Sequence, residues 1–116
     1  MIYTIEQLRL IVAPIAEKYR LKHVWIFGSY ARGEATENSD IDFLADLRGS
    51  MIDCLYYWNN FCDDLSGVLN KKIDLISSNG LLDNITTEIT PYFAANVNRD
   101  KVMIYERMEQ IKINID

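Results

Sequence analysis

The sequence contains few of the residues on which disulfide frameworks, cysteine-based metal sites and histidine catalysis depend. It has two cysteines and one histidine among 116 residues. Cys54 and Cys62 fit neither a disulfide framework nor a C-x-x-C metal site, and we expect both to be small packing residues in a reducing compartment. Because His23 is the only histidine, a Ser-His-Asp arrangement is hard to build, and we expect His23 to begin a strand.

Positive charge and long apolar runs are also lacking. The net charge of −5 argues against a general nucleic-acid binder, which needs a cationic surface. No apolar run approaches the length of a membrane span, and the first residues show no signal-peptide pattern, so we expect a cytoplasmic protein without a membrane contact. The 49% hydrophobic and 25% charged residues are ordinary for one folded domain of this length.

Helical and strand patterns alternate along the chain. Helices are predicted over 4–20, 28–33, 50–66 and 91–98, weak helix over 80–89, and strands over 23–28, 40–46, 72–77 and 101–105. This order predicts a single α/β domain. Thr4 with Gln7, and Ser50 with Asp53, have the spacing of a capping box, Gly67 is expected to end the third helix, and Thr90 to cap the fourth. Pro14 should kink the first helix. Trp25 and Trp58 are expected to face the core.

The segment Phe27–Gly33 places a Gly-Ser pair at the point where a buried strand gives way to a short helix. Backbone N–H groups and a hydroxyl at such a turn can hold a phosphate, so Gly28 and Ser29 are candidate phosphate-binding residues. A plain helix cap is the alternative for Ser29. Arg32 has two equally weighted roles, an ion pair with a carboxylate or a contact with the nucleotide.

Two aspartates follow ten residues after the Gly-Ser pair, in the segment Ser39–Phe43. Asp40 and Asp42 have strand spacing, so their side chains should point the same way and repel each other when both are ionised. A hard cation such as Mg²⁺ relieves that repulsion, and Mg²⁺ sites often combine one or two carboxylates with substrate phosphates. An exposed acidic strand end is the alternative.

Asp74 lies inside the apolar segment Ile73–Ile76, where an unpaired carboxylate is costly. If this strand lies beside the Asp40–Asp42 strand, Asp74 joins the cluster. Three carboxylates could hold two metal ions, and Asp74 could take the proton of an attacking hydroxyl. A surface acid is the alternative.

Together these motifs resemble the minimal nucleotidyltransferase (MNT) family, the small branch of the DNA polymerase β-type nucleotidyltransferase superfamily. The Pro-containing first helix and the ending Asp100–Tyr105 fit the family layout too. The resemblance implies a small α/β (α+β) nucleotidyltransferase domain over 1–105, with a short mixed sheet flanked by helices, and a polar tail over 106–116. It assigns phosphate contacts to Gly28 and Ser29, with Arg32 as a further candidate, and Mg²⁺ ligation to Asp40, Asp42 and Asp74.

The implied reaction is transfer of AMP from ATP to a hydroxyl, with two Mg²⁺ ions expected. Many MNT proteins are antitoxins paired with a HEPN-domain ribonuclease, and some of them silence it by adenylylating a tyrosine. The resemblance therefore implies a HEPN toxin as the partner and a hetero-oligomer as the assembly. Two alternatives stay open. The chain could be an antitoxin that neutralises its partner by docking alone, or a standalone transferase that modifies a small molecule.

Overall fold

The structure is a computed structural model that describes residues 2–78 and 91–108. Its elements in chain order are α1 Ile5–Lys18, β1 His23–Phe27, α2 Gly28–Arg32, β2 Ile41–Asp46, α3 Leu55–Leu69, β3 Ile73–Ser77, α4 Pro91–Asp100 and β4 Val102–Glu106. The weak helix expected over 80–89, the Thr90 cap and the tail beyond 108 lie outside the described residues.

The four strands form one mixed sheet in the order β3-β2-β1-β4. β1 runs antiparallel to both β2 and β4, whereas β2 and β3 are parallel. A parallel pair needs a crossover connection, and α3 supplies it. The predicted α+β fold with a short mixed sheet flanked by helices is therefore confirmed.

One face of the sheet carries most of the core. Side chains of β1 and β2 on this face are fully buried among residues of α1 and α3, and they include Val24, Ile26, Phe43 and Ala45. The opposite face has a smaller cluster in which Val97 of α4 packs with Phe27 and Leu44. Trp58 is buried as predicted, but Trp25 is only partly buried, because strand alternation places it on this second face.

Helix α1 begins where the sequence pattern predicts a cap. The predicted capping box of α1 is present: Gln7 N donates to Thr4 Oγ1, and Thr4 N donates to Gln7 Oε1. Pro14 lies inside this helix, which continues to Lys18.

No helix in the described ranges is long and apolar enough to cross a membrane.

The bounds predicted for the third helix are wrong. The Ser50 hydroxyl donates to Leu47 O and accepts from Ile52 N, so Ser50 stabilises a turn and α3 begins only at Leu55, after an exposed Cys54. The exposure of Cys54 also contradicts the packing role expected for it. At the other end the helix passes through Gly67 and stops at Asn70, whose φ of 52° is a left-handed conformation that asparagine tolerates.

Candidate active site

The Gly-Ser pair forms the turn between β1 and α2. Gly28 has a φ of 71°, a conformation that favours glycine, and it turns the chain sharply out of the strand. The N-cap residue of α2 is Phe27, whose side chain makes no capping hydrogen bond within the described ranges. The short helix ends at Gly33, whose φ of 74° gives the left-handed C-cap that the sequence predicted.

Asp42 lies directly against this turn. In the antiparallel pairing of β1 and β2 its register partner is Phe27, so the carboxylate reaches the backbone of the next residue. A Cβ atom built on Gly28 would overlap Oδ2 of Asp42 and lie 3.2 Å from its Cγ. Backbone conformation therefore favours glycine at position 28, and a larger residue would also force the Asp42 carboxylate to move, so glycine lets the phosphate-binding candidate and the carboxylate approach each other.

Asp74 is the partner of Asp42 across the parallel strands β2 and β3. Burial, a hydrogen bond to Asp74 and the charge of Asp74 together raise the pKa of Asp42 to about 7. The side chain of Asp74 is exposed, which corrects the expectation that it is the buried acid, since Asp42 is the more buried of the two. A cation bound here would relieve the repulsion that raises the pKa of Asp42.

Asp40 precedes β2 and lies opposite Lys72, with 4.0 Å between Lys72 Nζ and Asp40 Oδ2. The charge of Asp40 also contributes to the raised pKa of Asp42, so all three predicted acids belong to one electrostatic group. Lys72 was missed by the sequence reasoning. Its signal was its position two residues before Asp74, which places both side chains on the same face of the strand.

Arg32 forms ion pairs with two carboxylates beside the three candidate acids. Its Nε lies 3.0 Å from Glu34 Oε1 and its Nη1 lies 3.5 Å from Asp100 Oδ2. Its positive charge acts to lower the pKa of Asp42, but the causes that raise this pKa outweigh it. Asp100, at the end of α4, is a neighbour that the sequence reasoning did not single out.

The donors present fit a hard divalent cation. Within residues 2–78 and 91–108, no three His, Cys, Asp or Glu side chains converge into a complete metal-binding group. Asp42 and Asp74 nevertheless stand side by side in the strand pairing, and Asp40 adds a third charge. Two carboxylates are enough for Mg²⁺ when substrate phosphates complete the ligand set, so the site suits a cation that arrives with a nucleotide.

The chain is similar to a known protein family over most of its length. Residues 11–110 match the family model described as Polymerase beta, Nucleotidyltransferase. A relative from Methanocaldococcus jannaschii, named putative protein adenylyltransferase, is 37% identical over 100 residues, which cover 85% of this chain and 92% of the relative. Protein adenylyltransferase MntA of Thermococcus cleftensis is 29% identical over 90 residues, or 74% of this chain and 89% of that protein.

Solved structures share the fold. One described as a putative minimal nucleotidyltransferase superposes with a TM-score of 0.62 at 28% identity, covering 86% of this chain and 95% of that chain. A toxin–antitoxin crystal structure with AMP-PNP gives a TM-score of 0.62 at 18% identity, covering 86% of this chain and 74% of that chain. At 18% identity, the likeness to the toxin–antitoxin structure shows only a shared fold.

Proposed function

The chain belongs to the polymerase beta nucleotidyltransferase family, and from this premise we propose that it transfers AMP from ATP to a hydroxyl of a partner protein. The observation that carries the proposal is the close fit of Asp42 against Gly28, with Asp74 beside it. A phosphate held at the Gly-Ser turn would lie next to the paired carboxylates. This is the arrangement that nucleotidyl transfer needs, because positioning and charge neutralisation provide most of its catalysis.

In this proposal Gly28 and Ser29 bind the phosphates, and Arg32 turns from Glu34 or Asp100 toward them. Asp40, Asp42 and Asp74 would hold Mg²⁺, with two ions expected. When bound, Mg²⁺ neutralises phosphate charge and orients the α-phosphate.

The acceptor oxygen then attacks the α-phosphorus while its proton passes to the carboxylate of Asp74. The bond between the α-phosphorus and the bridging oxygen breaks, and pyrophosphate leaves with that electron pair. Asp74 is the more exposed acid of the Asp42–Asp74 pair, which leaves its carboxylate open to an incoming hydroxyl and supports this role.

The proposed acceptor is a tyrosine of a HEPN-domain toxin, and the chain would act as its antitoxin in a hetero-oligomer in the cytoplasm, where ATP is available. Support comes from the two relatives named as protein adenylyltransferases and from the toxin–antitoxin structure with AMP-PNP that has the same fold. The HEPN identity and the tyrosine rest on the family resemblance.

Mass spectrometry of a reconstituted mixture tests the proposal. The purified chain is incubated with a candidate HEPN protein, ATP and Mg²⁺, and the partner is examined for an added AMP. Asp42→Asn should abolish the adduct. Asp63→Asn, the same chemical change at an exposed position on α3, should retain it.

Neutralisation of the toxin by Asp42→Asn at equal concentration, with no adduct on either protein, would favour docking and contradict transfer. Turnover of small alcohols in the absence of a second protein would instead favour a standalone transferase.

A further inference from the structure

Lys72 lies next to the three acids of the candidate site. Asp42 pairs with Asp74 across β2 and β3, and Asp40 and Lys72 immediately precede these two strands. The backbone confirms this placement, since Ile41 N donates to Lys72 O at 3.2 Å. The ammonium group is 4.0 Å from Asp40 Oδ2, and the side chain is 77% exposed. The ammonium group is therefore accessible to a molecule that enters beside Asp40.

The order of the strands places the Gly28 turn and Lys72 on opposite sides of Asp42. The sheet runs β3-β2-β1, so the Gly28 turn lies at the end of β1, Asp42 lies on β2, and Lys72 lies before β3. In phosphoryl transfer the attacking and leaving oxygens are roughly in line, on opposite sides of the phosphorus. If the pyrophosphate portion is held at the β1 side, the attacking oxygen arrives from the β3 side, where Lys72 is.

A cavity opens on that same side. It has a volume of about 460 Å³ and lies between the loop before β2 and the turn before β3, with Tyr3, Asp40, Asn70 and Lys72 among its lining residues. Two hydrogen bonds fix its walls: Tyr3 donates to Leu69 O at 2.7 Å, and Lys71 Nζ donates to Glu37 O at 3.0 Å. The volume is within the range of ligand pockets and admits an acceptor side chain.

We propose that Lys72 binds the acceptor oxygen and that this cavity receives the acceptor side chain, an inference that rests on the proposed function. As the acceptor O–H bond breaks, its proton goes to Asp74 and the oxygen forms a bond to the α-phosphorus. The ammonium group stabilises the negative charge that develops on the oxygen. Pyrophosphate takes the electron pair of the bond that breaks.

Steady-state transfer to the HEPN partner tests the inference with three variants. Lys72→Met should lower kcat about tenfold or more while the KM for ATP changes less than about twofold, because the charge acts on the acceptor and not on the nucleotide. Lys72→Arg should restore kcat to within about threefold. Lys22→Met, a lysine substitution at the other end of β1, should behave as the wild type.

A partner-free measurement gives a second readout. Because the ammonium group competes with a cation at Asp40, Lys72→Met should bind Mn²⁺ about threefold more tightly than the wild type in a titration without ATP. Lys22→Met should not.

A wild-type kcat for Lys72→Met, or a loss of ATP affinity that matches the loss of kcat, would overturn the inference. Mn²⁺ affinity that is unchanged in Lys72→Met would overturn the assignment of Lys72 to the carboxylate group. If the wild-type chain transfers nothing to any partner, the proposed function itself fails and the acceptor role falls with it. An active wild type with an equally active Lys72→Met would reject the Lys72 inference alone.

Discussion

The backbone of Gly28 lies so close to the carboxylate of Asp42 that a side chain on residue 28 would displace the carboxylate. A Cβ atom at position 28 would overlap Oδ2 of Asp42, and the φ of 71° independently disfavours any other residue. The two residues are fourteen positions apart in the sequence and meet because β1 and β2 pair with Phe27 opposite Asp42. The phosphate-binding turn and the carboxylate therefore depend on each other for their geometry.

This relationship makes Gly28→Ala a sensitive test. Both Gly28 and Gly33 have left-handed backbone conformations, so alanine at either position costs about 1 kcal/mol of strain. Among the described residues, nothing lies within 4 Å of a Cβ at Gly33, whereas one at Gly28 displaces Asp42. Thermal melts should show a loss of stability in both variants, with the larger loss in Gly28→Ala because of the added overlap, and calorimetric titration should show a loss of Mg²⁺–ATP binding only in Gly28→Ala. Equal binding by both variants would contradict the account.

Nucleotide binding should depend on pH near neutrality. The pKa of Asp42 is raised to about 7, so below that pH the folded protein holds a proton that a cation must displace. Mg²⁺–ATP affinity should therefore weaken as the pH falls from about 8 to about 6, and binding should release protons. Calorimetry in buffers of different ionisation enthalpy measures that release. An affinity that is constant over this range would argue against a raised pKa of Asp42.

Acid stability should depend on the Asp46–Arg48 pair. The buried Asp46 carboxylate accepts from Arg48 Nε at 2.9 Å and Nη2 at 2.8 Å, and this pairing lowers its pKa to about 2. Because the folded-state pKa is depressed, the stabilisation is complete above the unfolded value near 4 and is lost as the pH falls toward 2. At neutral pH it amounts to about 2 kcal/mol at most.

Arg48→Met should therefore lower the free energy of unfolding at pH 7, and the difference from the wild type should shrink in denaturant titrations at progressively lower pH. Arg9→Met, which removes an exposed ion pair with Glu6, should cost about 0.5 kcal/mol or less. A difference for Arg48→Met that persists at the lowest pH would contradict the assignment.

We expect opposite changes in the free energy of unfolding when the hydroxyl is removed from each of two buried tyrosines. Tyr19 is 4% exposed and donates to Asp64 Oδ2 at 2.6 Å, whereas Tyr30 is 5% exposed and its hydroxyl has no hydrogen-bond partner among the described residues. Tyr19→Phe should destabilise the protein by about 1 kcal/mol. Tyr30→Phe should be neutral or stabilising, because it removes a buried unpaired polar group. Chemical denaturation of both variants checks this, and a larger loss in Tyr30→Phe would be contrary to expectation.

Local patterns predicted most of the fold and the placement of the candidate site. The strand spacing of Asp40 and Asp42 predicted side chains on one face, and Asp74 was expected to join them if its strand lay beside theirs. The pairing of Asp42 with Asp74 meets that condition. The chemical roles of these residues stay predictions until they are tested.

The features of the site that could not be predicted from the sequence depend on contacts between distant segments. The approach of Lys72 to Asp40 follows from the parallel register, which no local pattern encodes. Asp100 reaches Arg32 only because α4 packs near α2. The delayed start of α3 arises because the Ser50 hydroxyl bonds within a turn, a use that competes with helix capping.

A thermal melt of the purified chain with ATP, with and without Mg²⁺, tests the central claim most directly when the wild type is compared with Asp42→Asn. Ligand at a hundredfold excess over Kd stabilises a folded protein by about 2.7 kcal/mol, which is several degrees for a domain of this size. The account predicts a shift that requires Mg²⁺ in the wild type and is absent in Asp42→Asn. An equal shift in both proteins, or a wild-type shift that is the same without Mg²⁺, would contradict it.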